Sequence, residues 1–219
     1  MSNYGDMKSR IANEVADSTI SAEIILAIKS AIKFYERKEF YFNTKTGTFA
    51  TVASQEDYDS TANADIPNIV RIFEPVKVTA SSFKYDVDIV PIYDIDSAQD
   101  GAITGRPGCL AYFAEEIRLF PIPDTVYTVT MRYIYRLAEL SADSDTNGWT
   151  DDAEELIRQR AKMIIAADVL RDVDMYQAAK ELEAQAYSAL RAETKSRRSV
   201  ATLRTDFPST SLYSIYTDQ

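Results

Sequence analysis

Between residues 21 and 40 the apolar positions recur three and four apart. In SAEIILAIKSAIKFYERKEF, Ile25, Ile28, Ile32 and Tyr35 share one face, and Lys29, Lys33 and Arg37 mark another. This is the period of an amphipathic helix whose apolar stripe needs a partner. Ser21 is a candidate N-cap, and Glu23 sits in the first turn, where the helix dipole favours an acid. The preceding MKSRIANEVAD predicts a shorter helix.

From residue 48 to 136 the period drops toward two, and Thr, Val, Ile, Tyr and Phe dominate. TFATV, VRIFEPVKVT, KYDVDIV, CLAYFA, IRLFPI and VYTVTMRYIY read as strands. In the last of these, Tyr127, Val129, Met131, Tyr133 and Tyr135 make the better core face, opposite Val126, Thr128, Thr130, Arg132 and Ile134. Glu115-Glu116 is expected at a hairpin tip. Pro121-Ile122-Pro123-Asp124 is expected as a connection, because proline does not continue a central strand. On this reading LFPIPDTVYTVTMRYIY ends one strand of an antiparallel meander and supplies the next.

Residues 151 to 196 return to helix. Asp151 followed by Glu154 resembles a capping box, with Asp in the Ser/Thr place. Ala153, Leu156, Ile157, Ala161, Ile164 and Ala167 form a stripe, and Asp172-Val173-Asp174 interrupts it. A second helix is expected from about Met175 to Lys195, with Ala178, Ala179, Leu182, Ala186 and Leu190 facing inward. Its alanines allow close contact, so the pair is expected as an antiparallel hairpin on the N-terminal helix. Residues 197–219 lose the helical period and are rich in Ser and Thr. Leu203, Phe207, Leu212, Tyr213, Ile215 and Tyr216 are nevertheless spaced along them as apolar anchors. That pattern suits a segment docking on another protein; an ordinary chain terminus is the alternative. The expected fold is α+β and mainly α. A helical bundle (1–47 and 137–196) carries an inserted antiparallel β domain (48–136) and an extended C-terminal arm (197–219).

Composition narrows the chemistry. Of 219 residues 46% are hydrophobic, enough for a real core. No apolar run approaches the ~20 residues of a membrane span, and MSNYGDMKSR lacks the apolar stretch of a signal peptide. Synthesis in a cytoplasm, without export by the general secretory route and with no membrane partner, is expected. Histidine is absent, which removes the usual general base and the commonest metal ligand. Cys109 is the single cysteine, so neither an intrachain disulfide nor a cysteine-based zinc site can form. It reads as a small buried hydrophobe ahead of a reactive thiol. The net charge is −10, from 34 acids and 24 bases. Such a body is a poor duplex binder, because affinity for nucleic acid comes largely from bases displacing counterions.

The motif with most matches is DSDTNGWTDDAE, residues 143 to 154, which fits a calcium loop at every specified position. Asp143, Asp145 and Asn147 would supply oxygens, Gly148 the sharp turn and Glu154 the closing bidentate carboxylate. Against this, the entering segment reads as strand, Thr150 stands where an aliphatic residue is expected, and there is no second loop to pair with. The competing reading is a polar connector in which Asn147-Gly148 turns and Asp151 and Glu154 cap the helix. The expectation is therefore no metal site and no cofactor. Paired carboxylates suffice for glycosidic cleavage, but among 34 acids some pair lies at any distance, and no acid sits in an evidently apolar stretch. DGAITGRPG reads as a loop, since no Gly-Lys-Ser/Thr follows. Arg191, Lys195, Arg197, Arg198 and Arg204 cluster at the root of the arm, where a solvated helix end, an acidic partner or DNA are all open readings.

The order of segments carries more than any motif. An aromatic helix end (FYERKEFYFN), a β-rich middle, RLFPIPDTVYTVTMRYIYRL and then NGWTDDAEELIRQRAKMIIA resemble the adaptor, or head-to-tail connector, family of tailed bacteriophages, especially short-tailed ones. The likeness covers about residues 7 to 195. Its sharpest parts are the I-x-L-x-P-x-P-D hairpin from Ile117 to Asp124 and the Asn-Gly-Trp lead into a helix. The resemblance implies a structural protein without catalytic residues. It would form a ring, commonly of twelve copies, below the portal at the capsid vertex of the virion. The ring would extend the channel through which genomic DNA passes without specific binding, and would offer a platform to tail (nozzle or fibre) proteins. The arm is then expected as the portal contact, through Leu203, Phe207, Leu212, Tyr213, Ile215 and Tyr216 with Arg197 and Arg198 at its root. The alternatives are a virion-associated peptidoglycan hydrolase using a carboxylate pair, and a non-viral intracellular interaction module.

Overall fold

The computed structural model describes residues 2–198 apart from 18, 62, 64, 82 and 99–102. The first helix, α1 (Tyr4–Val15), starts at a reciprocal cap. The Asn3 side chain accepts from the Asp6 amide at 2.8 Å, and the Asp6 carboxylate accepts from the Asn3 amide at 3.2 Å. Tyr4, Met7, Ile11 and Val15 are buried along one face. The second, α2 (Ser21–Tyr35), buries Ile24, Ala27, Ile28, Ala31 and Tyr35. Ser21 is the first helical residue here, and Ile20 holds the cap position without a side-chain bond. The buried stripe is turned from the expected one, leaving Ile25 half-buried. Ala27 and Ala31 are small enough to lie at a helix contact, which a reading weighted to large residues passes over.

After the sheet the chain forms a single turn, α4 (Gly148–Asp151), then α5 (Glu154–Ile165), a π-helical turn (Ala166–Leu170) and α6 (Val173–Arg198). Arg171 ends the turn in the left-handed region (φ 54), and the Asp172 carboxylate caps the next helix at the Met175 amide (2.9 Å). α6 then runs back along α5, so that Arg160 meets Glu183 at 3.1 Å. α5 packs on α1, α2 and α6, and Phe40, Leu140 and Trp149 complete one helical core. The expected inward set on α6 is corrected. Ala179 and Leu190 are buried and Ala186 half-buried, but Ala178 faces solvent and Leu182 is 43% exposed. The inner face is completed instead by Tyr187 and by polar groups, Glu183 and Thr194. Likewise Ala166 is buried and Ala167 exposed, because the wider π turn rotates the stripe.

The strands are β1 (Thr44–Ala50), β2 (Asp57–Tyr58), β3 (Ile69–Ala80), β4 (Phe83–Ile89), β5 (Thr104–Gly105), β6 (Cys109–Phe113), β7 (Glu116–Phe120), β8 (Ile122–Pro123) and β9 (Thr128–Tyr135), with α3 (Ile92–Ala98) between β4 and β5. Seven of them form a sheet in the order β1-β9-β3-β4-β6-β7-β2. The expected meander fails at its end. β9 does not pair with β7 but crosses to the far half and lies between β1 and β3. β4 and β6 are parallel, so the sheet is not wholly antiparallel. Pro121 does end β7, yet Ile122-Pro123 pairs with β5 as a separate two-stranded piece. The β6–β7 turn falls at Ala114-Glu115, both with positive φ, one residue ahead of the expected tip. Of the described residues about 43% are helix and 27% strand, so the fold is α+β and not clearly mainly α.

The expected β9 core face holds as far as Tyr133; Tyr135 is only half-buried, and Ile134, expected on the opposite face, is 1% exposed. Tyr127, Val129, Met131 and Tyr133 are buried, and Val129 lies opposite Phe49 on one side and Val78 on the other. Tyr58, Leu110, Ile117 and Leu119 from the other half join the same cluster. The sheet is therefore curled around a second core. Where the two cores meet, the buried Asn43 accepts from the Phe40 amide and donates to the Lys38 carbonyl. Arg136 bridges Glu36 after α2 (3.5 Å) and Glu115 at the β6–β7 tip (2.6 Å).

Candidate assembly interface

α6 ends at Arg198, and the sequence holds that end down. Thr194 is buried, and its hydroxyl donates to the Leu190 carbonyl at 2.8 Å. One turn on, Arg197 donates to Glu193 at 2.6 and 3.1 Å and lies over the Tyr41 ring at 3.7 Å. Tyr41 belongs to the FYERKEFYFN stretch that follows α2. Burial, then a hydrogen bond to Asp152, pushes its hydroxyl up to about 12. Next to it Phe40 and Phe42 stack at 5.4 Å, and both meet Trp149 edge-on, at 5.9 and 5.0 Å. Lys38 sits over Tyr187 and Phe34 at 4.6 and 4.9 Å. The aromatic patch is thus a platform that joins α2, the entry to β1, the Asn-Gly-Trp turn and the root of the arm.

Of the residues expected to contact a partner, Arg197 is on this platform and Arg198 closes α6. Leu203, Phe207, Leu212, Tyr213, Ile215 and Tyr216 lie outside the described residues.

The loop that reads as a calcium site is used to seat α1. The Asp143 and Asp145 carbonyls accept from the Gly5 and Tyr4 amides at 2.9 and 3.0 Å. The Asp143 carboxylate pairs with Lys8, and Glu154 pairs with Arg10 at 2.9 Å. The Asp145 carboxylate accepts from the Ser141 and Ala142 amides, both at 2.8 Å, which hold it below its ordinary value. Asn147 accepts from the Trp149 amide and forms the capping box with Thr150, in place of the expected Asp151 and Glu154. Each would-be ligand has its own partner. Among the described residues no group of three or more acidic or cysteine side chains gathers as a cation site.

Cys109 is half-buried, with its sulfur 3.6 Å from the Phe120 carbonyl, and burial pushes its thiol up, away from a reactive thiolate. Asp17, Glu139 and Asp145 are held low by their hydrogen-bond partners, the opposite of what a glycosidase acid needs.

Sequence reading missed the surface apolar groups. Val52, Phe83, Ile103 and Val126 are 44–64% exposed and stand at strand ends or within two residues of them. Tyr93 (77%) and Phe113 (61%) stand on the outside of the sheet's second half. Inside apolar strands such as CLAYFA, nothing in the one-dimensional pattern separates an outward Phe from an inward one. A groove of about 450 Å³ between α2 and residues 137–140, lined by Ile28, Ile32, Leu137 and Trp149, is crossed by the Lys29–Glu139 pair at 2.7 Å.

A family model described as SU10 adaptor protein matches residues 2–206. No curated protein matches the chain.

Proposed function

The chain belongs to the SU10 adaptor protein family, and from that premise we propose that it is a structural head-to-tail adaptor of a phage virion. It forms a ring, of twelve copies by the resemblance, beneath the portal. The ring extends the channel for genomic DNA and presents a platform to tail proteins. The observation that carries this reading is the extent of the match, which runs through both cores and past the platform into the arm. The chemistry agrees with it. Ionisable groups that stand out in sequence are spent on tying elements together, and apolar groups are left at the surface for neighbours. The proposed organisation is a helical unit (1–47 and 137–196) that carries the arm 197–219 to the portal, and an inserted β unit (48–136). In the arm, Leu203, Phe207, Leu212, Tyr213, Ile215 and Tyr216 are the anchors. Each copy adds its own arm contact, so modest single affinities sum to firm attachment of the ring.

The test is negative-stain microscopy of the full chain mixed with the portal protein. Full chain is expected as rings on portal particles. Chain lacking 197–219 is expected to stay folded and leave the portal bare. Normal decoration by the truncated chain would remove the arm from the portal contact.

A further inference from the structure

We propose that neighbouring copies of this chain meet head to tail through two oppositely charged outer faces of the curled sheet. This rests on the adaptor reading and names the surfaces that would build its ring. The two faces point away from one another because their inner sides share one core. On β9 the residues Val129, Met131 and Tyr133 point in, so Thr130 and Arg132 point out. On β7 Ile117 and Leu119 point in, so Glu116 and Arg118 point out.

The first face is cationic on a chain whose net charge is −10. Arg132 lies opposite Thr46 on β1 and Phe73 on β3, and Arg71 lies opposite Ile134. The half-buried Phe73 ring sits between the two guanidinium groups, 4.9 Å from Arg132 and 5.4 Å from Arg71. The aromatic ring holds both cations spread on the sheet, with their edges open. Lys77 and Lys84 extend the face, but Asp86, opposite Lys77 at 3.9 Å, and Asp88 point out beside them and Glu74 is exposed next to Phe73, so the cationic excess rests on Arg71 and Arg132.

The second face is acidic and aromatic. Arg118 is ringed by Asp57 (2.8 Å), Asp96 (3.0 Å) and Glu56 (3.1 Å), and the exposed Glu116 lines the same cleft as Arg118. The carboxylates outnumber that guanidinium. A cleft of about 220 Å³ lies among Tyr93, Asp96, Phe113 and Glu116. Two exposed rings and free carboxylate edges are what an arriving arginine needs, a bidentate acceptor and an aromatic flank. The Arg71–Phe73–Arg132 ladder supplies such arginines, with a row of threonines around it.

This contact is heterologous, so every bound copy still offers one free face of each kind. Copies can therefore add in sequence until a ring closes. Between bodies that each carry −10, the pairing also supplies attraction where net charge alone would repel.

Charge reversal tests it on the full chain, by sedimentation and by microscopy with the portal protein. R71E/R132E and D96K/E116K are each expected to weaken self-association at least about tenfold. The chain with all four changes should assemble again, and an equimolar mixture of the two single-face variants should form mixed rings. Thermal melts exclude misfolding; if a reversal melts early, the neutral pair R71Q/R132Q replaces it with the same expectation. Single-face variants that melt normally and assemble as wild type would overturn the face assignment and leave the adaptor reading intact. Wild-type chain that remains monomeric even on portal particles would overturn the adaptor reading and this one with it.

Discussion

The guanidinium of Arg197 lies over the ring of Tyr41 at 3.7 Å, so the last turn before the arm is fastened to the segment that enters the sheet. Tyr41 precedes β1 by three residues and follows the Tyr35 end of α2. Tyr41 in turn packs against the helical core beside Phe42.

Replacing Arg197 by alanine is expected to leave the melting temperature within about 3 °C of wild type, since the side chain is exposed. The change should nevertheless weaken attachment to the portal, because the arm then leaves from an unanchored turn. Paired melting and portal-binding measurements check this. Equal binding by the variant would disconnect the platform from the arm.

The Tyr41 hydroxyl, raised to about 12 by burial and then by Asp152, gives a test at alkaline pH. A tyrosine held above its unfolded value near 10 stabilises the fold below pH 10 and loses that contribution as pH rises toward 12. Asp152→Asn removes the second cause and should bring Tyr41 part of the way back toward 10. The difference in tyrosinate absorbance between this variant and the same variant carrying Tyr41→Phe measures it. A Tyr41 titration unmoved by the substitution would show that Asp152 is not its partner.

Much of the architecture was legible residue by residue, and the failures share one cause. Strand positions and the inner face of β9 follow from alternation, a local property of Val, Ile and Tyr. Which strand β9 would join does not, because its partners β1 and β3 lie some fifty residues or more upstream, and no local signal marks them. On α6 apolarity favoured Leu182. The helix buries Ala179 as expected but turns Leu182 outward and brings Glu183 within 2.6 Å of the Tyr35 hydroxyl and within 3.1 Å of Arg160. A buried polar network is invisible to an apolar stripe. The 143–154 loop shows the same limit. Its residues match a cation site one by one, yet Lys8, Arg10 and the first turn of α1, more than a hundred residues away in sequence, claim its oxygens.

Gly148 is expected to tolerate no side chain. A Cβ there would stand 2.5 Å from Phe42 Cδ2, and Phe42 is held between Phe40, Tyr41 and Trp149. Gly148→Ala should cost about 1–3 kcal/mol by overpacking, seen as a lower denaturant midpoint and a shifted Trp149 emission. Adding Phe42→Leu should recover part of the loss. If the double variant is no better than the single, the clash lies elsewhere.

Glu14 on α1 pairs with two α5 cations, Arg158 and Lys162, whose side chains are only 16% and 12% exposed. Burial lowers the pKa of both, so both need compensating carboxylates; Glu14 serves the two together, and Glu155 is a second partner of Arg158. Glu14→Ala leaves Arg158 with Glu155 but takes the ion-pair partner from Lys162, and should destabilise the fold by about 1–3 kcal/mol, less than a fully buried pair because Glu14 is partly solvated. Coupling with Lys162→Met in a double-mutant cycle is the measurement. Additive effects would mean that the pair contributes nothing beyond its separate residues.

Acid should loosen α1 before it unfolds the sheet. The Asp145 carboxylate accepts from the Ser141 and Ala142 amides and is held below its ordinary value by them. A depressed carboxyl contributes stability above its unfolded value, near 4, and that contribution is lost as pH falls through the lower folded value. The turn it closes presents the Asp143 and Asp145 carbonyls to the Gly5 and Tyr4 amides, two N-terminal donors of α1. Once Asp145 is protonated, those carbonyls lose their fixed orientation, and the donors have only solvent to turn to. The protection of the Tyr4 and Gly5 amides, taken against their intrinsic exchange rates, should therefore fall below pH 4, while the amides paired between β3 and β9 stay protected. Asp145→Asn should reproduce the faster exchange at neutral pH and flatten its acid dependence. Tyr4 and Gly5 amides that exchange no faster in the variant would mean that α1 is seated by its apolar face alone.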